Sequence, residues 1–282
     1  MPSFPHRVSG RLIRSPRTRF SSNLQWITRE SPGNIKQGCN FIDFGILRLK
    51  RGATYQTVTN RETLLVLLQG KAAVEIAGKV SKVARSSPFD EAPTAVHCGA
   101  GTHLTITSLL PGSEWAVLRA SNQRLRDVRW YFPRHVTSED RGAGLAQGAC
   151  RRTVRTLFDH QSCPESDLVV GEVVNRAGRW SSYPPHHHSQ PEIYHYRFTL
   201  PQGYGHAELG DDVLKVKTGD TIEIPGGLDH AQVAAPGYGM YYLWTVRHLP
   251  RRPYKGFQFT PAHTWLLDPK QQGWSPRPHP RR

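Results

Sequence analysis

No apolar run in the 282-residue chain approaches the ~20 residues that a membrane-spanning helix needs, so no membrane partner is expected. Cysteine is scarce. Cys39, Cys98, Cys150 and Cys163 lie far apart and form no CxxC pair, which excludes a zinc knuckle and a dithiol redox motif. Isolated thiols of this kind fit reduced, mostly buried side chains in a cytoplasmic protein. Helical patterning is almost absent as well, and one or two short helices, in 122–166 or 262–272, are all that is expected. The formal net charge is +15, yet the chain has no helix-turn-helix, no zinc finger and no aromatic-basic RNA signature, and no specific nucleic-acid partner is expected. Much of the charge lies at the ends. Residues 1–20 hold Arg7, Arg11, Arg14, Arg17 and Arg19 and no acid, and the tail finishes on Arg277, Arg281 and Arg282. Such ends read first as solvated basic surface and second as a field that draws in a small anionic substrate. The Arg- and Ser-rich start also has the composition of a transit peptide, but Pro2, Pro5 and Pro16 interrupt any amphipathic helix there.

What the chain does have is a succession of short apolar and β-branched runs punctuated by glycine. Residues 41–49, 63–68 and 72–76 read as strands, with Arg51 and Gly52 turning the chain after the first and Gln69-Gly70 making a tight turn between the other two. Residues 95–96, 104–107 and 115–118 continue the pattern, 122–166 is looser, and a second series of strands follows from 168 to 246. Short strands at regular spacing imply a sandwich or barrel, and the two halves repeat the same order. The expectation is an all-β chain of two tandem barrels: a basic arm at 1–20, a first barrel at 21–125, a second at 126–267 and a basic tail at 268–282.

The chemistry concentrates between Gly178 and His230. Three consecutive histidines, His186, His187 and His188, precede Glu192, and His230 closes the run Gly219-Asp-Thr-Ile-Glu-Ile-Pro225-Gly226-Gly227-Leu-Asp-His230. Strand alternation points His186 and His188 one way and His187 the other. A His-x-His pair, a carboxylate a few residues on and a distant third histidine can close around one divalent ion, and this mixture of imidazole and carboxylate suits zinc, manganese, iron or nickel. Tyr194 and Tyr196 share the phase of Glu192; His195 and Arg197 fall out of phase, on the outer face. In the first half, His97 and His103 lack a comparable partner set, so a metal-free first barrel is expected.

The spacing Gly219-x5-Pro225-x-Gly227-x2-His230 resembles the second cupin motif, and His186, His188 and Glu192 resemble the first. More specifically, Trp180-Ser-Ser-Tyr-Pro-Pro-His-His-His188, Glu192-Ile-Tyr-His-Tyr-Arg-Phe198, Pro201-Gln-Gly-Tyr204 and Ala234-Ala-Pro-Gly-Tyr238 resemble the 5-deoxy-glucuronate isomerase family of inositol catabolism. So do Phe89-Asp-Glu-Ala-Pro-Thr-Ala-Val96 and Pro261-Ala-His-Thr-Trp265, and the match spans about residues 25–267. The resemblance implies two cupin barrels of the double-stranded β-helix type. It also implies interconversion of the aldose and ketose forms of a deoxy uronic acid, a small anionic substrate, and one divalent ion, zinc first and manganese or iron next. The implied metal ligands are His186, His188, Glu192 and His230. The family blocks point to Tyr242 as a catalytic residue and Gln202 as a substrate contact; Tyr196, in phase with Glu192, is a second candidate for catalysis, a metal-bound water would also serve as the base, and Arg197 is a candidate anchor for the substrate carboxylate if the strand twists or a neighbouring chain completes the site. A homo-oligomer is left open. Only Ser189, Gln190 and Pro191 separate the histidines from Glu192, which is closer to the related zinc ketol-isomerase of pectin breakdown, 5-keto-4-deoxyuronate isomerase, than to the family's usual longer acidic insert. That relative's hexulosuronate is therefore the second candidate substrate. The same ligands also fit a cupin dioxygenase working with iron, or a non-catalytic cupin that binds a sugar acid without turning it over.

Overall fold

The computed structural model describes residues 10–14, 24–30, 42–109, 112–271 and 273–276. The all-β, two-barrel expectation holds. In the first half, the strands from Leu24–Thr28 to Arg129–Tyr131 form one sheet system that folds over a core of Leu47, Leu65, Trp115 and Val117. In the second half, a seven-stranded sheet faces a five-stranded one across Tyr194, Tyr196, Ala207, Ile222 and Tyr242. A third apolar layer joins the halves: Phe44, Leu64 and Leu118 of the first pack against Val170, Ile193 and Leu243 of the second. The seven-stranded sheet is thus covered on both faces. This is why Glu192–Phe198 is buried along almost its whole length, with its odd and even residues in different cores.

Four local features correct the sequence expectations. Gln69-Gly70 is not a hairpin turn but lies inside one fifteen-residue strand, Glu62–Ile76. The register shifts between Leu67 and Gln69, and Gly70 takes φ +107° where an added Cβ would stand 2.5 Å from the Gly112 carbonyl oxygen. This irregularity bends the strand so that one half pairs with Thr94–Cys98 and the other with Lys79–Arg85. The looser region 122–166 contains three strands, Arg129–Tyr131, Thr137–Arg141 and Arg152–Phe158, besides two 3₁₀ turns. The first of these strands pairs with Ala95–His97, so hydrogen bonding carries the first half past residue 125. Finally, the arm is not wholly outside the barrels. Arg11–Ile13 adds an edge strand to Thr221–Ile224, and Arg14 Nη1 donates to Asp220 Oδ2 at 2.6 Å. Three residues in an Arg-rich stretch carry too little alternation to reveal a strand; an unpaired sheet edge supplies the missing reason. The remainder of the arm and the end of the tail lie outside the described residues, as does Cys39; Cys98, Cys150 and Cys163 are buried free thiols. Among the described residues no helix is long and apolar enough to cross a membrane.

A polar hub lies on the seam between the halves. Glu62, fully buried, accepts hydrogen bonds from His97 Nε2 (2.8 Å), Asn122 Nδ2 (2.6 Å) and the Asp167 backbone N–H (2.9 Å). The histidine and its other donors outweigh burial and hold this carboxyl below its ordinary range.

Candidate metal centre

The site is assembled from three neighbouring segments. His186 is the penultimate residue of the strand Trp180–His187 and His188 follows it, Glu192 opens Glu192–Phe198, and His230 opens His230–Ala234. His186 and His230 are direct partners across the ladder. The Pro225-Gly226-Gly227 bend aims His230. A Cβ on Gly226 would stand 2.0 Å from the Ser189 carbonyl oxygen, while Gly227, at φ +85°, donates its N–H to the His188 carbonyl at 2.6 Å. Backbone therefore packs directly on backbone, tying the second motif to the first.

His188, Glu192 and His230, all buried, bring one donor atom each within 4.8 Å of one another. His188 Nε2 donates to Glu192 Oε2 at 3.1 Å. His230 Nδ1 donates to the Leu228 carbonyl at 2.9 Å, which places its ring proton there and leaves a lone pair on Nε2. That Nε2 has no hydrogen-bond partner among the described residues and lies 3.4 Å from Glu192 Oε2. Two acceptors facing each other in a buried site call for a cation between them, and a histidine whose far nitrogen donates to a backbone carbonyl is oriented as metal-ligating histidines are. The donor set therefore fits a divalent ion. Burial works to raise the Glu192 carboxyl, but the neighbouring His188, which donates to it, and His230 prevail and hold it at about 2. His186 stands beside this group rather than in it. Its ring lies 4.3 Å from that of His230 and 6.4 Å from that of His188, and burial first, then the neighbouring His230, depresses its pKa to about 3. His187 faces away, hydrogen-bonded through Nδ1 to Asp229 at 2.6 Å.

The group opens on a cavity of about 220 Å³, which is small beside the ~300–1,000 Å³ of typical ligand pockets and suits a small molecule. Of the other residues singled out in the sequence, Tyr242 lines it, with its hydroxyl 2.7 Å from Ser181 Oγ and 3.2 Å from Ser182 Oγ. Burial raises the Tyr242 phenol, which keeps it protonated and makes it a donor rather than a base. Three of the residues singled out lie away from the cavity. Tyr196 is sealed in the core and donates to Gln232 Oε1 at 2.5 Å, away from the cavity lining. Arg197 obeys alternation and leaves the barrel for the seam, where its Nη2 lies 2.7 Å from Glu114 Oε1. Gln202 is exposed on the turn after Phe198, at the far end of the strand from Glu192.

Sequence reasoning missed two arginines. Arg152 opens its strand in phase with Val154 and Thr156, and all three line the cavity. Arg141 lies directly across the ladder from Arg152 and lines it too. Arg152 Nη1 donates to the Cys150 carbonyl at 3.0 Å, and Arg141 is forked onto Glu139 at 2.9 and 3.0 Å. Glu139 already relieves the charge of Arg141, so Arg152, with a backbone carbonyl as its hydrogen-bond partner, is the member of the pair best placed to take an anion. Tyr254 and Phe257, from the irregular segment after the last long strand, were also missed. Their rings stand 4.9 Å from His188 and 4.4 Å from His186 and wall the cavity. Arg152 could have been found from its alternation with Val154; nothing in the sequence marks Tyr254.

Comparison with known proteins places the chain in a family. The chain is 31% identical over 265 residues to the 5-deoxy-glucuronate isomerase of Geobacillus kaustophilus (strain HTA426), covering 86% of this chain and 91% of that one. It is 29% identical over 277 residues to the enzyme of the same name from Geobacillus thermodenitrificans (strain NG80-2), covering 92% and 96%. The crystal structure of an IolB-like protein from Salmonella typhimurium LT2 superposes with a TM-score of 0.77 at 26% identity, over 91% of this chain and 99% of that one. The oxalate decarboxylase of Lactobacillus farciminis shares the fold, with a TM-score of 0.63 at 10% identity over 91% and 90% of the two chains. A family model described as KduI/IolB matches residues 12–266, and the chain belongs to the KduI/IolB family.

Proposed function

We propose that this protein is an aldose–ketose isomerase acting on a small sugar acid, 5-deoxy-glucuronate, as a step of inositol catabolism. One observation carries the reading: a buried group of two histidines and a carboxylate, two of whose acceptors face each other, heads a small cavity whose wall holds a directly opposed pair of arginines. His188, Glu192 and His230 would hold a divalent ion, zinc first, with His186 as a fourth ligand after a change of its ring position. Such an ion supplies a Lewis acid for the oxygens of the substrate's carbonyl and adjacent hydroxyl. The chain supplies the rest. Arg152 and Arg141 are suited to a bidentate grip on the substrate carboxylate, which fixes the sugar's orientation. The Tyr242 hydroxyl, held by Ser181 and Ser182, offers a hydrogen bond to a substrate oxygen. Tyr254 and Phe257 cover the histidines and exclude water from them.

The three-residue link from His188 to Glu192 favours a second reading, isomerisation of the pectin-type hexulosuronate, over any change of chemistry. Both are tested by following each substrate by NMR with the purified protein. Conversion of 5-deoxy-glucuronate at the higher kcat/KM supports the first reading, and preference for the hexulosuronate supports the second. Turnover of neither, or oxygen uptake in the presence of Fe(II), removes both.

A further inference from the structure

A second cavity, of about 360 Å³, lies where the loop following the strand Met240–Arg247 meets the segments around Arg124, His160 and Asp167. It shares no lining residue with the metal cavity. Its wall is basic. Arg124, Arg247 and Arg251 line it together with His160 and His248, against the single acid Asp167. That acid is already engaged: Arg247 Nη1 lies 2.7 Å from its Oδ2, and Arg124 Nη2 donates to its Oδ1. The three arginines and Asp167 of the lining therefore leave two positive charges in excess.

Polar atoms of this wall lack partners among the described residues. His248 Nδ1 accepts the Tyr254 backbone N–H at 2.8 Å, so the ring proton sits on Nε2, which is buried without an acceptor. The buried Nε–H of Arg247 has none either, and neither has Nδ1 of His160, whose ring stands edge-on to that of His248 at 5.2 Å. Buried polar atoms left without a partner are uncommon, and three of them belong to residues of this one wall, which points to an acceptor that is brought in. Arg251 adds an independent sign. It holds φ +59°, a left-handed conformation that is strained for a non-glycine residue and recurs at ligand sites.

We propose that this cavity is an anion site that takes a phosphate group, free or esterified to a small metabolite. Guanidinium forks suit phosphate oxygens, and the excess of two charges matches a phosphate that carries about −1.5 to −2 near neutral pH. The volume exceeds what a bare phosphate fills and leaves room for a small ester. The site borders the active cavity through one hydrogen bond: His248 holds the backbone of Tyr254, whose ring stands 4.9 Å from His188. It stands independently of the isomerase reading.

Calorimetric titration of the full chain at matched ionic strength tests it, with inorganic phosphate in one arm and glycerol 3-phosphate in the other. Wild type should bind in a saturable, single-site manner. Arg251→Ser, at an exposed position, and His248→Asn, which can still accept from Tyr254 but lacks the Nε2 donor, should each weaken binding by about tenfold or more. Arg152→Ala, in the other cavity, should change it by less than about twofold. Tighter binding of glycerol 3-phosphate identifies an esterified ligand, and equal or tighter binding of inorganic phosphate a free one. Absence of saturable binding in both arms, binding that both lining variants leave intact, or loss confined to Arg152→Ala overturns the proposal.

Discussion

Arg152→Ala isolates the role assigned to the arginine pair. The guanidinium lies on the cavity wall, opposite Arg141 in register, with one hydrogen bond given to a backbone carbonyl. A hydrogen bond to a charged group is worth about 1.5–3 kcal/mol, so losing one such grip should lower kcat/KM for 5-deoxy-glucuronate by about 10- to 150-fold. A carboxylate remote from the reacting carbons is held alike in ground and transition states. The loss should therefore appear in KM, with kcat within about twofold of wild type. Arg152→Lys should recover part of it, since the charge survives but the fork does not. Removing one of two opposed like charges should leave the melting temperature unchanged or slightly raised. Initial rates measured by NMR give both constants, and 5-deoxy-glucose, which lacks the carboxylate, is the control that both proteins should treat alike. An unchanged KM, or a collapse of kcat with KM intact, would refute the assignment; a fall in melting temperature would show that Arg152 serves the fold instead.

Three further outcomes follow from the geometry. Glu223 is 1% exposed, has no hydrogen-bond partner for either oxygen among the described residues, and is pushed up to about 7 by burial against the pull of Arg11. The folded state therefore holds a proton that the unfolded chain releases, and stability is greatest below the ordinary glutamate pKa and falls as pH rises through about 7. Glu223→Gln should then gain on the order of 2 kcal/mol over wild type between pH 5 and pH 8 in denaturant melts, and a gap that does not change with pH contradicts this. Arg85 and Glu172, both fully buried, pair at 2.7 and 2.8 Å across the seam. Arg85→Met should cost about 3 kcal/mol by leaving the buried carboxylate only the Tyr241 hydroxyl and the more distant Arg155, and adding Glu172→Leu should restore part of that; an additive loss in the double variant would show that packing, not the under-compensated charge, sets the cost. Lastly, His188→Asn should abolish stoichiometric metal binding measured by elemental analysis while His187→Asn retains it, because His187 faces Asp229; equal loss in both would mean that the two faces are misassigned.

The sequence was most legible where alternation and a tight bend act together. Period two placed Glu192 and Tyr194 inside and His195 and Arg197 outside, and the Pro225-Gly226-Gly227 bend announced His230. It was least legible where a residue's neighbours come from distant segments. The arginines of the cavity sit on strands rich in Arg and Thr, whose polarity hides their β pattern. Tyr254 and Phe257 belong to irregular backbone with no period at all. Gly70 looked like a turn because a glycine in a bent strand and a glycine in a hairpin satisfy the same need for positive φ. Tyr196 had the right face but the wrong depth: alternation gives direction, not distance from the mouth.

The central claim is that a divalent ion held by His188, Glu192 and His230 is required for isomerisation of a sugar acid. It is tested most directly by one reconstitution: the protein is stripped with chelator, zinc is added back in steps, and conversion of 5-deoxy-glucuronate is followed by NMR alongside bound metal. The account predicts no turnover when stripped, and activity that rises in proportion to bound zinc and saturates at one ion per chain. Full turnover by stripped protein, or a rise in bound metal without any return of isomerisation, would contradict it.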